Sequence, residues 1–365
     1  MTIQRPSWVT VDLDAVAHNV RLLVERAAPA VVCAVVKSDG YGHGAVDVSR
    51  AALAAGATWL AVAIPDEAIE LREAGIDAPI LVLDEPDDWD AVVAHDLRAT
   101  VFSEPGITAL AAAARNRGRV VPVHLKVDTG MHRIGVAPSE VVARAKAVLG
   151  APELVLEGVS THCPVADEPG NPFTDAQADR FDAVLTDLRA AGIDPPIVHA
   201  ANSAATLLHP RLRHDLVRCG IAVYGLDPSP EVAGTVPLRP ALSWTARVSN
   251  VAVVPAGDAV SYGLRRPLAI DSVIATVPVG YADGMPRRLS DFEVFLRGKR
   301  RPIAGTITMD RFMVDCGTDE IAVGDEVELL GEHVTVAEWA AHLDTIVYEI
   351  TCGISPRVPR VHAHP

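Results

Sequence analysis

Cysteine is scarce in this sequence and nowhere has the spacing of a metal or redox motif. The 365 residues contain five cysteines, an odd number spread far apart, and no CxxC motif. Such cysteines are typical of buried thiols in a reducing compartment rather than of a disulfide-stapled secreted domain. They are Cys33, Cys163, Cys219, Cys316 and Cys352.

Signals for secretion, membrane insertion and nucleic-acid binding are also missing. The amino-terminal segment MTIQRPSWVTVDLDAV has no basic stretch followed by an apolar core, so we expect no secretory signal. No apolar run is long enough to span a bilayer. The net charge of −15 argues against nucleic acid or an anionic membrane as the main partner. We therefore expect a soluble cytoplasmic protein.

The first part of the chain alternates apolar, strand-like runs with helical patterns. The chain is 49% hydrophobic and 22% charged, which indicates a globular protein, and its length suits two domains. The predicted strands are residues 31–37, 59–64, 79–83, 98–102, 120–127, 154–162, 196–200 and 216–224. Eight βα units fit a TIM-type barrel. A doubly wound sheet is the rival, but no GxGxxG motif follows the first strand.

The pattern changes near the segment GTVPLRP, residues 234–240. The runs beyond it are short and strand-like, and only residues 336–343 look helical. The predicted strands are residues 242–254, 272–279, 293–297, 301–307, 312–316 and 326–330. We therefore predict an N-terminal (β/α)8 TIM-type barrel over residues 1–234 and a mostly β C-terminal domain over residues 235–365, with which the first residues could pair.

The stretch VVCAVVKSDGYGHG, residues 31–44, is the clearest candidate for chemistry. Its β-branched start lacks alternation, as in a strand buried on both faces of a parallel sheet. The strand pattern ends at Lys37, where α/β folds place catalytic groups. A desolvated lysine has a lowered pKa and can form a Schiff base with an aldehyde cofactor. The alternative is a surface lysine beyond a barrel strand.

Polar residues also collect at the ends of other predicted strands. Each has an alternative role: His162 as a satisfied buried histidine, Arg218 as an ion-pair partner, and Asn202-Ser203 as a helix cap. Their joint position at the face where barrels carry catalytic groups favours a site. Ser203, Gly220 and Ile221 follow strands seven and eight, where such barrels often bind phosphate through hydroxyl and backbone N–H donors. A reactive lysine plus a phosphate site suggests pyridoxal 5′-phosphate (PLP).

From about Trp8 to Arg360, the chain resembles the alanine racemase family of fold-type III PLP enzymes. The matching blocks are VTVDLDAVAHNV, AVVKSDGYGHG, HLKVDTGMHRIG, STH, HAANSAA, VRCGIAVYG, VSYG, VGYADG, TMDRFMVD and ISPRVPR. The resemblance implies a homodimer that interconverts L- and D-alanine and supplies D-alanine for peptidoglycan. It implies no metal, nucleic-acid or membrane partner.

The resemblance also implies roles for individual residues. Lys37 would hold PLP and act as one base, and Tyr262, reaching in from the partner subunit, would be the second. Lys126 would be carboxylated, and its negative charge would position Arg133. The implied PLP contacts are Lys37, Tyr41, Arg133, His162, Asn202, Ser203, Arg218, Gly220, Ile221 and Tyr348. The implied substrate contacts are Arg133, Met309, Asp310 and Tyr281.

The chemistry of racemisation agrees with these roles. A proton must leave one face of Cα and return on the other, which requires two bases such as Lys37 and Tyr262. The resemblance implies that Arg218 faces the pyridine nitrogen, where it would stay protonated and could not give that nitrogen a full proton. This limits delocalisation of the carbanion and favours its return to an amino acid over transamination.

Some residues depart from the family pattern. None of them removes a proposed catalytic group. His132 stands where glycine is common, and Arg311 stands where glutamine is frequent. Both lie close to the implied carboxylate-binding positions, where they would affect substrate range, rate and the carboxylation of Lys126. The other departures are Ser38-Asp39, Cys163-Pro164 and Thr308.

Other functions remain open at this point. A racemase of another small amino acid, such as serine, would have the same groups. A barrel-type PLP decarboxylase would have an acidic residue where Arg218 stands, and a PLP carrier would lack the region with Tyr262 and Met309-Asp310. A metallohydrolase built on a carboxylated Lys126 would need clustered histidine ligands near strand ends.

Overall fold

The computed structural model describes residues 6–363 and divides into two compact units. The barrel unit is Ala15–Pro240. The C-terminal unit combines the described residues 6–14 with 241–363. The sequence-based boundary lies between residues 234 and 235. No helix within residues 6–363 combines the length and apolarity that a membrane crossing requires.

The barrel unit repeats a strand followed by a helix. The chain first forms β1 (Ser7–Asp12), which belongs to the C-terminal unit. The barrel strands are β2 (Val31–Val35), β3 (Trp59–Val62), β4 (Ile80–Val82), β5 (Arg98–Val101), β6 (Val121–Lys126), β7 (Leu154–Ser160), β8 (Ile197–His199) and β9 (Leu216–Cys219). The helices are α1 (Leu13–Ala27), α2 (Lys37–Gly42), α3 (Ala45–Ala54), α4 (Pro65–Glu73), α5 (Trp89–Ala94), α6 (Glu104–Asn116), α7 (Val141–Leu149), α8 (Phe173–Ala190) and α9 (Ser203–Leu208).

Parallel pairing makes these strands a nearly closed barrel. The eight-stranded sheet has the order β8-β7-β6-β5-β4-β3-β2-β9. Backbone hydrogen bonds also join its two end strands, from Asp215 N–H to Val198 O (3.0 Å) and from Arg218 N–H to Ala201 O (2.9 Å). The predicted barrel followed by a mostly β domain is confirmed. The carboxyl ends of all strands therefore meet at one face, which collects the polar residues that follow them.

Burial explains why the strand predictions succeeded. The β2 run VVCAV is buried at four of its five positions, as a strand covered on both faces must be. All eight barrel strands are shorter in the structure than predicted. The first and the last end early because the chain turns after Val35 and after Cys219. The first turn is α2, and the second leads into a 3-10 helix, Ile221–Tyr224. Lys37 therefore lies just beyond its strand rather than at its last residue.

The C-terminal unit contains a six-stranded and a three-stranded sheet. Their orders are β14-β13-β16-β10-β1-β17 and β11-β12-β15. Its elements after β1 are β10 (Leu242–Arg247), β11 (Asn250–Val254), β12 (Ser272–Val277), β13 (Glu293–Leu296), β14 (Lys299–Pro302), β15 (Phe312–Asp315), β16 (Glu326–Leu330), α10 (Val336–Leu343), α11 (Val347–Cys352) and β17 (Arg360–Ala363). The amino-terminal strand β1 pairs antiparallel with β10 and parallel with β17.

Two predictions for the C-terminal unit need correction, and one helix was not predicted. Residues 242–254 form two strands, β10 and β11, which belong to different sheets. The predicted strand 301–307 is misplaced, because β14 begins at Lys299 and ends at Pro302, which has no N–H for a sheet ladder. Helix α11 was missed because its six residues, VYEITC, are rich in β-branched side chains.

Gly225 ends the 3-10 helix Ile221–Tyr224, and its replacement tests how tightly this part of the barrel unit is packed. Its φ is +78°, and a Cβ there would lie 1.7 Å from the carbonyl oxygen of Arg239. Replacing Gly225 by alanine is expected to lower the free energy of unfolding by about 3 kcal/mol, because steric overlap adds to left-handed strain. Chemical denaturation measures this loss.

Gly234 offers a matched control for that experiment. It has a similar φ of +74°, but nothing lies within 4 Å of an added Cβ. Gly234→Ala should therefore cost only about 1 kcal/mol, from backbone strain alone. Equal losses in the two variants would contradict the packing argument.

Candidate active site

Lys37 begins a left-handed turn at the carboxyl face of the barrel. Residues 38–41 all have φ between +52° and +59°, which side chains with a Cβ rarely adopt. The turn is held by hydrogen bonds from Gly40 N–H to Val36 O and from Gly44 N–H to Asp39 O, both 2.9 Å. Such strain persists only where the surrounding structure fixes it, and it is commonly found at functional sites.

The turn also places Tyr41 against the start of the last barrel segment. Tyr41 is buried, and its ring lies 5.0 Å from that of Tyr224. The Tyr224 hydroxyl donates to Val35 O at 2.9 Å, which fixes this pair on β2. A Cβ on Gly220 would come within 2.5 Å of the Tyr41 hydroxyl oxygen. The absence of a side chain at 220 is therefore required for the two segments to meet.

Ser203 and the backbone after β9 form a set of hydrogen-bond donors. The Ser203 hydroxyl oxygen accepts the Gly220 N–H at 2.9 Å and the Ala222 N–H at 3.4 Å. Its own hydrogen is therefore free to point elsewhere. Ile221 opens a 3-10 helix, where the first N–H groups have no acceptor within the helix. A hydroxyl beside such N–H groups suits a phosphate dianion.

Asn202 plays the part of a helix cap in this arrangement. Its side-chain oxygen accepts the Ala205 N–H of α9, and its amide nitrogen donates to Cys163 O, both at 3.0 Å. Both ends of the amide are therefore engaged within the protein. The observed bonds of Asn202 are those of a helix cap, which was the alternative role. Its contact with a cofactor stays a prediction.

Arg218 is a buried cation on β9. Only 4% of the residue is exposed. Its guanidinium donates to the carbonyl oxygens of Thr161 (2.7 Å), Ala200 (3.1 Å) and His199 (3.2 Å). Nη2 also lies 3.3 Å from Nδ1 of His162. These bonds hold the guanidinium at the face of the barrel.

Lys126, at the end of β6, joins a cluster of positive charge. Burial lowers the pKa of Lys126 well below its usual value, and the nearby cations Arg218 and Arg133 lower it further. Burial likewise lowers the pKa of His162 well below its usual value, with Lys126, Arg218, Arg133 and Lys37 contributing. These four basic residues therefore lie within electrostatic reach of one imidazole, inside a chain of net charge −15. The cluster suits an anionic ligand.

A turn around Asp128 presents Arg133. The Asp128 carboxylate accepts the backbone N–H groups of Gly130 (2.9 Å) and His132 (3.0 Å). Burial raises the pKa of Asp128, but these hydrogen bonds outweigh it and lower the pKa overall. His132 has a φ of +55°, which explains why glycine would be the easier residue there. The histidine ring is exposed and lies 3.5 Å from the same carboxylate.

Tyr262 lies in the C-terminal unit, on a loop that other backbone groups hold in place. The Ser261 hydroxyl donates to Thr306 O at 2.6 Å, and the Thr306 hydroxyl donates to Tyr262 O at 3.0 Å. A Cβ on Gly305 would lie 2.0 Å from Val260 O, so the loop requires glycine opposite it. The Tyr262 side chain itself points outward, and the residue is 73% exposed.

The remaining predicted substrate residues share the C-terminal unit with Tyr262. A turn closed by Thr308 and Arg311, in which Thr308 N–H donates to Arg311 O at 2.9 Å, carries Met309 and Asp310 at its tip. Tyr281 N–H donates to Thr308 O at 3.1 Å, which joins Tyr281 to the same turn. Asp310 accepts a hydrogen bond of 2.8 Å from Arg357. Tyr348 is half-buried on α11.

Sequence reasoning missed a polar network behind Arg218. His199 and His124 are buried, and their facing ring nitrogens, Nε2 and Nδ1, are 2.7 Å apart. Glu157 lies at the outer end, with its carboxylate 3.1 Å from His124 Nε2. His124 and His199 lie in the blocks HLK and HAANSAA, which match the family. From the sequence alone, however, each is equally consistent with a side chain that only packs inside the barrel.

Comparison with known proteins identifies the family. Family models of the alanine racemase N-terminal and C-terminal domains match residues 11–228 and 241–362. The chain belongs to the alanine racemase family. A curated alanine racemase of Symbiobacterium thermophilum is 50% identical, with 98% of this chain and 97% of that protein covered.

Solved structures agree with this assignment. The alanine racemase of the D-cycloserine producing Streptomyces lavendulae has a TM-score of 0.94 and 42% identity, with 98% of this chain and 97% of that chain covered. A histidine racemase of Leuconostoc mesenteroides has a TM-score of 0.92 at 29% identity, with 99% of both chains covered. The chain is a PLP-dependent amino-acid racemase of the alanine racemase family.

The donor set in the barrel unit fits PLP. Ser203, Ile221 and Tyr41 would supply hydroxyl and N–H groups for a phosphate, and the close approach of Tyr41 to Gly220 leaves no room for a side chain at residue 220. Lys37 supplies an amine for an aldehyde. The surrounding cations favour both the phosphate and a substrate carboxylate.

The buried histidines should make the free energy of unfolding of this alanine racemase family member depend on pH. Burial lowers the pKa of His124 and, more strongly, of His199, where Arg218 and His124 add to the effect. The unfolded chain binds protons at these rings below about pH 6.5, whereas the folded chain binds them only at lower pH. The stabilisation is therefore complete above pH 6.5 and is lost as the pH falls.

The free energy of unfolding should fall between pH 6.5 and pH 5, with an upper limit of about 1.4 kcal/mol per pH unit for each histidine. Urea unfolding of the cofactor-free protein across this range measures it. A free energy of unfolding that stays constant from pH 7 to pH 5 would contradict the neutral state of the two rings.

Proposed function

We propose that this enzyme interconverts L- and D-alanine, with Lys37 and Tyr262 as the two bases. The observation that carries the proposal is the clustering of Lys37, Arg218 and Arg133 around His162 at the barrel face, in a chain that belongs to this family. Identity of 50% to a protein named as an alanine racemase supports alanine rather than a larger substrate.

Two side chains of this enzyme transfer the proton, one on each face of the substrate Cα. PLP, when bound, supplies an electron-withdrawing ring that makes the substrate Cα–H acidic. Lys37 Nζ takes or returns the proton on one face of Cα, and the Tyr262 hydroxyl oxygen does so on the other. Arg133 pairs with the substrate carboxylate, and the backbone N–H of Met309 donates to it.

Arg218 sets the electronic character of the site. Facing the pyridine nitrogen, its guanidinium would donate a hydrogen bond but retain its proton. Charge from Cα would then remain near Cα, where a proton can return. An acidic partner at this position would favour decarboxylation or transamination, so Arg218 supports racemisation over the barrel-type decarboxylase alternative.

We propose further that the enzyme is a homodimer whose partner subunit supplies Tyr262 to the barrel site. The C-terminal unit exposes three large side chains that carry predicted roles: Tyr262 at 73%, Met309 at 53% and Tyr281 at 45%. Such exposed apolar residues commonly mark an interface. A symmetric dimer would complete two identical sites at once.

Carboxylation of Lys126 is part of the proposal. Its lowered pKa favours the neutral amine, which is the form that can add CO2. The resulting carbamate would carry a negative charge between Arg218 and Arg133. That charge would hold the Arg133 guanidinium in position for the substrate.

Labelling with 13C-bicarbonate tests this modification. We expect a carbamate 13C resonance at neutral pH that disappears reversibly on acidification, when the amine is protonated. Lys126→Ala should lack the resonance and raise the KM for alanine roughly tenfold, as expected for a lost charged contact. Lys146→Ala, at an exposed lysine of α7, is the control. A resonance that survives in Lys126→Ala would contradict the assignment.

The proposed role is the supply of D-alanine for peptidoglycan in the cytoplasm. The wild-type gene should restore growth of a D-alanine-requiring bacterial strain without added D-alanine. A ratio of kcat/KM for alanine over serine well above one would support alanine as the substrate. Faster racemisation of serine would replace alanine in the proposal while leaving the two bases in place.

A further inference from the structure

A continuous chain of hydrogen bonds runs inside the barrel unit from Arg218 to Glu157. Arg218 Nη1 lies 2.7 Å from His199 Nδ1, and His199 Nε2 lies 2.7 Å from His124 Nδ1. His124 Nε2 then lies 3.1 Å from Glu157 Oε2. We call these four residues the histidine relay.

The two ends of the histidine relay determine every proton between them. Arginine only donates, so His199 Nδ1 must accept and Nε2 must carry the ring hydrogen. His124 Nδ1 therefore accepts from His199, and His124 Nε2 carries a hydrogen that it donates to the Glu157 carboxylate. Both rings are neutral in this arrangement. Burial, which lowers the pKa of both histidines, is consistent with it.

The backbone is shaped for this contact. The pairing of β6 with β7 shifts register, so that Val123 lies opposite Leu156 while His124 lies opposite Gly158. Glu157 is the extra residue of this bulge, and bulges re-aim side chains. A Cβ on Gly158 would lie 2.4 Å from His124 Nδ1, so the bulge and the glycine together make room for the ring.

The histidine relay connects the buried guanidinium of Arg218 to the carboxylate of Glu157, which Arg218 does not contact. Among residues 6–363, no carboxylate lies within ion-pair distance of Arg218, whose acceptors are carbonyl oxygens and imidazole nitrogens. Glu157 is one-fifth exposed, and its carboxylate lies 3.7 Å from Arg98 Nε. The negative charge of Glu157 polarises the hydrogen bonds between the two neutral imidazoles, and this polarisation extends to Arg218.

We propose that Glu157 is a positioning residue for Arg218, acting through His124 and His199. Its carboxylate fixes the direction of the histidine relay, so that His199 Nδ1 always faces the Arg218 guanidinium as an acceptor. This holds Nη1 and opposes any release of a proton from Arg218 towards the pyridine nitrogen of PLP. The functional consequence rests on the proposed function, whereas the proton arrangement does not.

The proton arrangement is tested first, by 15N NMR of the holoenzyme labelled at its histidine rings. Signals that disappear in His124→Asn and His199→Asn assign the two residues. We expect both rings to be neutral, with hydrogen on Nε2 and none on Nδ1, from pH 6 to pH 8. Hydrogen on Nδ1 of either ring, or a doubly protonated ring, would overturn the proposal whether or not the enzyme racemises alanine.

The role of the charge is tested by Glu157→Gln, a substitution of equal size. A glutamine that turns its NH2 group towards His124 would reverse both tautomers and set the His199 Nδ1 hydrogen against the Arg218 Nη1 donor, so that Arg218 would lose this hydrogen bond. We expect mixed tautomers in the NMR spectrum, a shifted pH titration of the visible absorbance of bound PLP, and a kcat about tenfold lower with KM nearly unchanged. Glu157→Asp, which keeps the charge, should recover most of each property.

Glu153→Gln is the matched control. Glu153 precedes β7, is similarly buried, and pairs with the exposed Arg115 rather than with a histidine. It should keep the tautomers, the absorbance titration and the kcat of the wild type. The proposal fails if Glu157→Gln leaves the tautomers and absorbance unchanged, or if Glu153→Gln changes them equally. If Glu157→Gln does not fold, Glu157→Asp and the wild-type spectrum still decide it.

Discussion

Replacing Lys37 by alanine is expected to abolish covalent attachment of PLP and to lower racemase activity at least about a thousandfold. The left-handed turn places this amine just beyond β2, within electrostatic reach of His162. Alanine offers neither a nucleophile for the aldehyde nor a base for Cα. Borohydride reduction followed by peptide mass spectrometry should locate PLP on the Lys37 peptide of the wild type and on no peptide of the variant.

Lys146→Ala is the control for this experiment, since Lys146 is exposed on α7. It should retain the PLP-bearing peptide and full activity. A Lys37→Ala protein that still carries reducible PLP would show that another lysine holds the cofactor. Lys126 would then be the first to examine, because burial and its cationic neighbours lower its pKa.

Replacing Tyr262 by phenylalanine is expected to lower conversion of L-alanine to D-alanine by roughly 10²- to 10⁴-fold, the contribution of one positioned base. Only the hydroxyl is removed, so the exposed loop held by Ser261 and Thr306 should keep its fold. Lys37 remains, so D-alanine in D2O should still exchange its Cα hydrogen while forming little L-alanine. Near-normal turnover of L-alanine would remove Tyr262 as a base.

Mixing the two inactive variants tests where Tyr262 acts. In a hybrid dimer of Lys37→Ala and Tyr262→Phe subunits, one site would have both substitutions and the other would have neither. If the partner supplies Tyr262, unfolding and refolding an equal mixture should restore about a quarter of wild-type activity, because half of the dimers are hybrids. No recovery would mean that each chain supplies both bases to its own site.

The barrel was predictable because its strands are encoded by continuous apolar runs. A run such as VVCAV can be stable only when covered on both faces, which requires helices on one side and a filled barrel on the other. The left-handed turn at 38–41 was not predictable, since Ser38 and Tyr41 have no local preference for positive φ. The shape of that turn depends on its contacts in the barrel.

Part of the candidate site could likewise be predicted from the sequence, and part of it could not. Lys37, His162 and Arg218 lie next to strand ends and could be assigned to one face of the barrel from the sequence. The contact between His124 and His199 joins residues 75 positions apart, and the bulge at Glu157 breaks the alternation that would have indicated where its side chain points. The role of Tyr262 came from the resemblance alone, because a loop tyrosine carries no local signal for catalysis.

Chiral chromatography of L-alanine incubated with the PLP-loaded enzyme tests the central claim most directly. We expect D-alanine to rise towards an equal mixture of the two isomers, with no loss of total alanine and no formation of pyruvate or ethylamine. An L-alanine pool that stays unchanged while PLP remains bound would contradict the assignment of alanine as the substrate. Ethylamine in place of D-alanine would contradict racemisation itself.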